Sequence, residues 1–410
     1  MMQREWDLII AGGGAAGFFC AVNVAAMHPG ARILILERGQ EVLAKVRVSG
    51  GGRCNVTHAC FEPRELVKFY PRGARELLGP FHRFGPADTV SWFENKGVPL
   101  KTEPDGRMFP VSNRSESIVK CLLNGALDAG VQVLTGCRMS RFYSEDNFWK
   151  VETTSGDFVT SHLLLATGSS KSIWDQMAEL KIAIVPPVPS LFTFNIKDTR
   201  IQDLAGLSVE NAEITVPSKK LTAQGPLLVT HWGMSGPAVL RLSAWGARDL
   251  AAVDYQFEIK INWCSGQDQH SLRDWIQQMR KDLARKQIAG SNAFGIPMRL
   301  WQRLIGAAGI GADRRWADIP KEESLQLALQ LTESRWQVSG KSTYKEEFVT
   351  AGGVALSEVD FRHFQIKKYP GLYMAGEALD IDAVTGGFNF QAAWTGAYLA
   401  AQDIANQIQT

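Results

Sequence analysis

The chain has 410 residues, of which 45% are hydrophobic, so it is long enough for roughly two to three domains with a sizeable core. Its 44 basic and 42 acidic residues leave a net charge of +2 without long blocks of one sign, which gives no electrostatic reason to expect a nucleic-acid partner. The six cysteines form no Cys-x-x-Cys pair, so we expect neither a metal site nor a disulfide framework. We therefore expect a cytoplasmic location.

The start of the chain predicts a strand, a glycine turn, a helix and a second strand. WDLIIAGGG is followed by AAGFFCAVNVAAMHPG and ARILILERG, and such apolar runs are typical of parallel strands covered on both faces. The uncharged run Leu8–Met27 is long enough to suggest a membrane span. Its charged lead-in, its glycines and the strand that follows favour a buried strand and helix instead, so we expect no membrane segment.

Further along the chain, the pattern changes twice and then returns. Ser49 begins a glycine-rich loop, SGGGRCNVTH, which precedes a mixed helical region and the buried strand LLLATG. Residues 190–262 alternate apolar and polar positions like short strands, with few helical patterns between them, whereas residues 270–334 carry apolar positions at helical spacing. VTAGGVAL and KKYPGLYMAGEALD then return to the pattern of apolar strands and glycines that the amino-terminal region shows.

This order predicts an α/β protein whose nucleotide-binding domain is interrupted. We expect a discontinuous, Rossmann-like domain over residues 1–189 and 340–410. A β-rich insert would occupy residues 190–265 and about 330–340, and a helical subdomain residues 266–330.

The clearest chemical motif is the turn between the first strand and the first helix. Gly12, Gly14 and Gly17 form G-x-G-x-x-G, which permits a tight turn, close approach of a pyrophosphate, and close packing of helix on strand. Glu37 lies 20 residues after Gly17, at the end of the second strand, where a carboxylate can accept hydrogen bonds from ribose hydroxyls. A purely structural glycine turn fits this context less well. The motif indicates a dinucleotide but does not distinguish FAD from NAD.

Four segments resemble the aminoacetone-oxidase-like, BaiN-type family of FAD-binding flavoproteins, which includes flavin-dependent reductases related to bile-acid dehydroxylation. The segments are GGGAAG with Glu37, KVRVSGGGRCNVTH, LVTHWGMSGPAVL, and TAGGVALSEVDF with GLYMAGEALDIDAVTGGFNFQAAW. The resemblance implies a split Rossmann-like FAD-binding domain, an inserted β-barrel-like domain and a small helical subdomain. It also implies an FAD-dependent oxidoreductase.

The same resemblance implies a set of cofactor-binding residues in four parts of the chain. The first part would hold the ADP moiety, the second would lie beside the flavin and pyrophosphate, the third would pass close to the cofactor, and the fourth would meet the ribityl phosphate and the flavin. Backbone N–H groups at a helix start in the fourth part would stabilise the negative charge that reduction adds. The four parts are Gly12, Gly14, Ala15, Ala16, Gly17, Glu37 and Arg38; Lys45, Ser49, Gly50, Gly51 and Asn55; Ala166, Thr167 and Gly168; and Gly376, Glu377, Gly387, Phe388 and Asn389.

One segment departs from the family pattern. After LLLATG, many members continue with a glycine-rich Ser-Thr-Gly-Asp-Gly stretch, whereas this chain continues with SSKSIWDQMAELKIAIVPPVPS. If this segment helps to shape the pocket or cover the flavin, the substrate preference of characterised members does not carry over.

Five single residues have both a functional and a structural interpretation. His231 is the weak candidate for a catalytic proton-transfer group, although a structural hydrogen-bonding role is favoured. Cys54 has no partner cysteine and is favoured as a small buried residue over a redox thiol. Arg53 fits either an anion contact or a surface charge. Asp380 and Asp382 are expected to support a loop and the cofactor, without a metal.

The leading hypothesis is a flavoenzyme that transfers a hydride between a small organic substrate and FAD, with NAD(P)H left open as a transient electron donor. One alternative is a non-catalytic FAD-dependent binding protein or a protein associated with RNA modification. Another is an NAD-dependent dehydrogenase, against which the carboxy-terminal GE and TGGFN segments count. The motifs leave the substrate, the choice between oxidase and reductase, and the oligomeric state open.

Overall fold

The computed structural model describes residues 5–342 and 349–408. The chain forms two compact units, one made of Met1–Val188 with Lys345–Thr410 and the other of Pro189–Tyr344. One boundary between them therefore falls within residues 343–348, which lie outside the described residues.

The first part of the chain begins with a strand, a helix and a second strand, as the sequence pattern predicts. The strands are β1 (Glu5–Ala11), β2 (Ile33–Leu36), β3 (Thr57–His58), β4 (Leu100–Thr102), β5 (Arg107–Pro110), β6 (Gln132–Leu134), β7 (Met139–Glu145), β8 (Phe148–Thr153), β9 (Gly156–Leu165) and β10 (Ile184–Pro189). The helices are α1 (Ala15–Met27), α2 (Ala44–Gly52), α3 (Pro63–Leu66), α4 (Ala74–Arg83), α5 (Pro86–Asn95), α6 (Glu116–Asp128) and α7 (Lys171–Glu179).

The remaining elements belong to the insert and to the returning carboxy-terminal part. The insert contains β11 (Thr193–Asn195), β12 (Ser208–Val216), β13 (Leu221–Val229), β14 (Gly233–Ser235), α8 (Pro237–Trp245), α9 (Ala247–Ala251), β15 (Gln256–Asn262), α10 (Gln269–Asp282), α11 (Met298–Ala307), α12 (Lys321–Thr332), β16 (Ser334–Ser339) and β17 (Lys341–Ser342). The chain then forms β18 (Thr350–Val354), β19 (Val359–Asp360), β20 (Gln365–Ile366), β21 (Leu372–Met374) and α13 (Phe388–Ile408).

A parallel sheet in the order β6-β2-β1-β9-β21 is the centre of the first unit. Ile10 of β1 lies opposite Ile35 on one side and Leu164 on the other, and all three side chains are buried. Burial on both faces explains why these strands are continuous apolar runs. The order is that of a Rossmann fold, with the fifth parallel strand supplied from beyond the insert. The predicted fold class is confirmed.

The sheet of the second unit curls back on itself. Its strands follow the order β16-β15-β12-β13-β14-β11-β17. Since β16 and β17 are separated only by Gly340, residues 334–342 pair with β15 at one end and with β11 at the other, which gives a barrel-like closure. The structure also places α8 and α9 between β14 and β15, where the sequence pattern indicates few helices. The segment PAVLRLSAW is apolar at most positions, so it shows no clear helical period.

Candidate functional site

Four connections meet at the carboxyl edge of the parallel sheet. The turn at Gly12 follows β1, Glu37 follows β2, Ala166 follows β9, and Gly376 follows β21 by one residue. These strands are neighbours and parallel, so the segments that leave them line one edge of the sheet. This edge is where open α/β sheets bind their ligands.

The three glycines of the G-x-G-x-x-G motif are glycines for different structural reasons. A Cβ on Gly12 would lie 2.3 Å from the carbonyl oxygen of Ala166, and one on Gly17 would lie 2.1 Å from the carbonyl oxygen of Gly12. A Cβ on Gly14 would have no atom within 4 Å. Gly12 and Gly17 are therefore required by packing, whereas Gly14 keeps an open face in front of α1.

That open face is the amino terminus of α1. The first intrahelical bond runs from the Phe18 N–H to the Gly14 carbonyl, so the N–H groups of Ala15, Ala16 and Gly17 precede the helical hydrogen-bond pattern. Gly14, the N-cap, supplies no side chain to bind them. A helix start with an open approach is a suitable place for a pyrophosphate.

Glu37 is fixed beside this turn by two backbone donors. Its Oε2 accepts the Gly13 N–H at 2.8 Å and its Oε1 accepts the Gly39 N–H at 2.7 Å. An ionised carboxylate has further acceptor positions on both oxygens, so Glu37 can still bind ribose hydroxyls. Arg38, the next residue, is exposed.

The segment after β9 runs along the glycine turn and presents an unsatisfied hydroxyl. The Ala166 N–H donates to the Ala11 carbonyl at 2.9 Å. The buried Oγ1 of Thr167 has no hydrogen-bond partner among the described residues, and the same holds for Thr350 Oγ1. Buried hydroxyls normally have partners. Two such groups on segments that border this edge fit a site that binds a polar ligand.

The glycine-rich loop is a left-handed turn at the end of α2. Gly50 and Gly51 have φ of +58° and +67°, and Ser49 Oγ donates to the Val46 carbonyl at 2.9 Å. A Cβ on Gly51 would meet nothing within 4 Å, so this position also faces open space. With the Asn55 amide oriented by its partners, its nitrogen donates to the Thr57 carbonyl and its oxygen accepts the Gly387 N–H, both at 3.0 Å.

Lys45 and Glu377 join the second and fourth predicted parts of the site. Lys45 Nζ lies 2.6 Å from Glu377 Oε2, and Glu377 Oε1 accepts the Thr350 N–H at 3.0 Å. A Cβ on Gly168 would lie 3.8 Å from the same Glu377 Oε2. A Cβ on Gly376 would lie within 3.7 Å of both α1 and α13. The structure therefore brings these predicted residues together.

The start of α13 is anchored from three directions. The Gly387 N–H is bound by Asn55, and the Asn389 side chain both accepts the Ala383 N–H and donates to the Ala383 carbonyl. The Phe388 ring is buried against Phe69, with ring centroids 4.3 Å apart. The side chains of Phe388 and Asn389 are thus engaged within the protein, and the backbone N–H groups of the first helical turn are what this segment can offer to a ligand.

His58 is a residue of this region that our sequence reasoning missed. It ends the same glycine-rich motif, which was the signal that could have identified it. Its Nε2–H donates to the Asp105 carbonyl at 3.1 Å, and its ring stacks on Phe388 at 4.6 Å. Burial lowers the pKa of His58, since desolvation disfavours the imidazolium.

The single-residue candidates are placed as follows. His231 is exposed in the turn between β13 and β14, in the second unit. Burial raises the pKa of Cys54 to about 12, which disfavours a reactive thiolate. Arg53 pairs with Glu103 at 2.6 Å and its guanidinium lies over the Phe109 ring. Asp382 is fully buried and forms an ion pair with Arg72.

The edge of the sheet fits FAD on its own geometry. It combines a helix start with an open glycine face, a fixed carboxylate, unsatisfied hydroxyls and a second helix start at α13. In the described part of the chain, no helix has the length and apolar character needed to span a membrane.

Comparisons with known proteins agree with this geometry. A model of the HI0933-like protein Rossmann domain matches residues 6–403. Ribosomal RNA dihydrouridine synthase of Escherichia coli (strain K12) is 27% identical, over 98% of each chain. The 3-dehydro-bile acid delta(4,6)-reductase of Clostridium scindens is 24% identical, over 97% of this chain and 98% of its own.

Solved structures share the fold at low identity. An open flavocytochrome c3 fumarate reductase superposes with a TM-score of 0.52 at 13% identity, over 99% of this chain and 79% of that one. The 3-ketosteroid delta1-dehydrogenase of Sterolibacterium denitrificans gives a TM-score of 0.52 at 10% identity, over 98% of this chain and 100% of that one.

Proposed function

The chain belongs to the HI0933-like Rossmann family and is an FAD-dependent oxidoreductase, and we propose that it reduces a carbon–carbon double bond conjugated with a carbonyl group. The observation that carries the proposal is a reaction type shared by two differently named relatives. Dihydrouridine is uridine with the ring double bond next to its carbonyl reduced. A delta(4,6)-reductase of a 3-dehydro bile acid acts on double bonds conjugated with a ketone.

The residues of the chain support this reaction by binding and electrostatics. Bound FAD supplies the hydride chemistry. Glu37 and the start of α1 would hold the ADP part, and Lys45 with Glu377 would contact the part between the phosphates and the flavin. The first turn of α13 would face the flavin and stabilise negative charge there. The substrate gains a hydride on one carbon and a proton on the other, and we propose NAD(P)H as the source of the two electrons.

The first experiment is a visible absorption spectrum of the purified protein, identification of the released cofactor, and anaerobic addition of NADPH or NADH. We expect FAD, bleached by one of the two nucleotides and reoxidised by an added enone. If FAD is present but neither nucleotide bleaches it, NAD(P)H is not the donor. If the protein neither retains nor takes up FAD, the proposed function is wrong.

The acceptors tested for reoxidation of the reduced flavin should include RNA as well as small molecules. Two relatives, from E. coli and Haemophilus influenzae, are named for ribosomal RNA, although we expected no nucleic-acid partner from the charge of this chain. Reoxidation by a steroid enone but not by uracil-containing RNA would favour a small-molecule substrate. The reverse result would favour a uracil base in RNA.

A further inference from the structure

The basic residues of the insert are concentrated in one stretch of the second unit. Residues 280–315 contain eight lysines and arginines and two aspartates, which is a net charge of +6. The whole chain has a net charge of only +2. The near-neutral total therefore hides a local excess of positive charge, and an expectation drawn from the total does not apply to this stretch.

The fold brings two parts of this stretch together. The Trp316 N–H donates to the Lys286 carbonyl at 3.1 Å, and the Ala317 N–H donates to the Ala284 carbonyl at 3.1 Å. The backbone that follows α10 thus runs beside the backbone that precedes α12. Basic residues that are distant in the sequence become neighbours on the surface of this unit.

Five exposed basic side chains form what we call the basic face. Two of them lie in the last turn of α10, where the negative end of the helix dipole is enough to explain a lysine or an arginine. The other three lie outside the helices, so helix stability does not explain them. The five are Arg280, Lys281, Arg285, Lys286 and Arg315.

The charges of the basic face are not compensated within the protein. In the part of the chain that the structure describes, none of the five side chains forms an ion pair with a carboxylate. Two nearby carboxylates have other partners, since Asp282 accepts a hydrogen bond from Gln278 Nε2 at 2.9 Å and Glu323 pairs with Arg314 at 3.2 Å. Like charges this close repel one another, and an anionic ligand would relieve the repulsion.

We propose that the basic face binds the phosphate backbone of RNA. Arginine and lysine bind phosphate oxygens, and a cluster of them releases the counterions that surround a polyanion, which drives binding. RNA is the polyanion that fits, because the proposed reaction suits the conjugated double bond and carbonyl group of uracil, a base of RNA. The choice of RNA rests on the proposed function, whereas the basic face is a feature of the second unit alone.

The test measures binding of a fluorescein-labelled, uracil-containing RNA hairpin to the full-length, FAD-loaded protein. Fluorescence anisotropy at several salt concentrations gives the dissociation constant and its salt dependence. The double variant Arg285→Gln/Arg315→Gln removes one charge from each of the two joined segments. The control, Lys219→Gln/Lys220→Gln, removes the same total charge elsewhere in the unit.

The control lies away from the basic face. Strands β12 and β15 are antiparallel, so the end of β12 lies beside the start of β15. The turn that carries Lys219 and Lys220 follows β12, whereas α10 follows the end of β15. The two double variants therefore change charge at opposite ends of β15.

We expect the wild type to bind the hairpin and to bind it more weakly as the salt concentration rises. At about 100 mM salt, Arg285→Gln/Arg315→Gln should bind roughly 10- to 50-fold more weakly. The slope of log affinity against log salt concentration should decrease by about one for each charge removed. The control should bind like the wild type.

Other outcomes separate this inference from the proposed function. If the wild type and Arg285→Gln/Arg315→Gln bind the hairpin equally, or if neither binds it, the inference is overturned. Binding to phosphatidylglycerol vesicles through the basic face, without binding to RNA, would also overturn it. If RNA binds through the basic face but no acceptor is reduced, the inference holds and the proposed function fails. If a steroid enone is reduced but RNA does not bind, the proposed function stands without this inference.

Discussion

Gly14 and Gly17 stand in the same turn but should respond differently to the same substitution. Gly14→Ala adds a methyl group to open space at φ −96°, so the free protein should keep its stability while FAD binding weakens on the order of 10-fold or more. Gly17→Ala forces a methyl group against the Gly12 carbonyl and should lower the stability of the fold itself. Thermal unfolding of the FAD-free protein and FAD titration measure the two effects separately.

Equal loss of thermal stability in the two variants would contradict this division. Gly14 would then be a packing glycine like Gly17. The G-x-G-x-x-G spacing predicted the three glycines, and the separation of 20 residues from Gly17 predicted Glu37. Both signals are local because these residues belong to one βαβ unit.

His231 can be tested as the proton donor without disturbing the fold, because it is exposed. Because a structural role is favoured for this residue, we expect His231→Gln to leave both the kcat for the acceptor and flavin reduction by NAD(P)H close to those of the wild type. His270→Gln is the matched control, since His270 is exposed in the same unit and pairs with Asp274 on α10. A kcat lowered roughly 100-fold, a typical contribution of a positioned proton donor, would instead identify His231 as that donor.

The contacts between other residues of the site were beyond sequence reasoning for a physical reason. Asn55 binds the backbone of Gly387, and Lys45 pairs with Glu377, so each contact joins segments from opposite ends of the chain. The resemblance indicated these positions, but only the fold shows which pairs meet. Arg53 was open for the same reason, since its partner Glu103 lies outside the motif.

At the scale of elements, the loop before α13 is held by the ion pair of Arg72 and Asp382. Asp382 is fully buried and the Arg72 side chain is nearly so. Asp382→Asn keeps the size but removes the charge that compensates the guanidinium, so we expect a loss of about 3–5 kcal/mol in the free energy of unfolding. Urea denaturation measures it.

The control is Asp175→Asn, which removes the carboxylate of the exposed pair with Lys171 on α7. Exposed pairs are screened by water, so this variant should unfold almost like the wild type. If the free energy of unfolding fell by the same small amount in both variants, the buried pair would not hold the loop.

Element prediction succeeded for strands with one or both faces buried, and failed for helices without an amphipathic period. β1 and β9 were recognised as apolar runs between glycines. α8 and α9 were not predicted, because most residues of α8 are themselves apolar and form no amphipathic period. The closure of residues 334–342 onto both ends of the insert sheet depends on pairings that no local pattern contains.

At the scale of the whole molecule, buried cysteines make stability depend on alkaline pH. Burial raises the pKa of Cys54 and Cys264 to about 12 each, from 9.0, and raises that of Cys20 further still. Above pH 9 the unfolded chain releases these protons and the folded chain retains them, so the free energy of unfolding should fall as pH rises. The expected loss between pH 8 and pH 10 is about 1.4 kcal/mol for each of these three cysteines.

Urea denaturation at the two pH values, with Cys20→Ala beside the wild type, isolates one of these contributions. The variant should lose about 1.4 kcal/mol less than the wild type over this interval. An identical pH dependence of the two proteins would show that the Cys20 thiol titrates equally in the folded and unfolded chains.

The parallel sheet also fixes an order of events during synthesis. β9 ends at Leu165, but its neighbour β21 ends at Met374, and α13 begins only at Phe388. The insert is contiguous and leaves the ribosome before either of them, so it can fold first, whereas the first unit waits for β21 and α13. The cofactor edge is therefore completed only after α13 has been synthesised, and a nascent chain cannot load FAD into a finished site before that point.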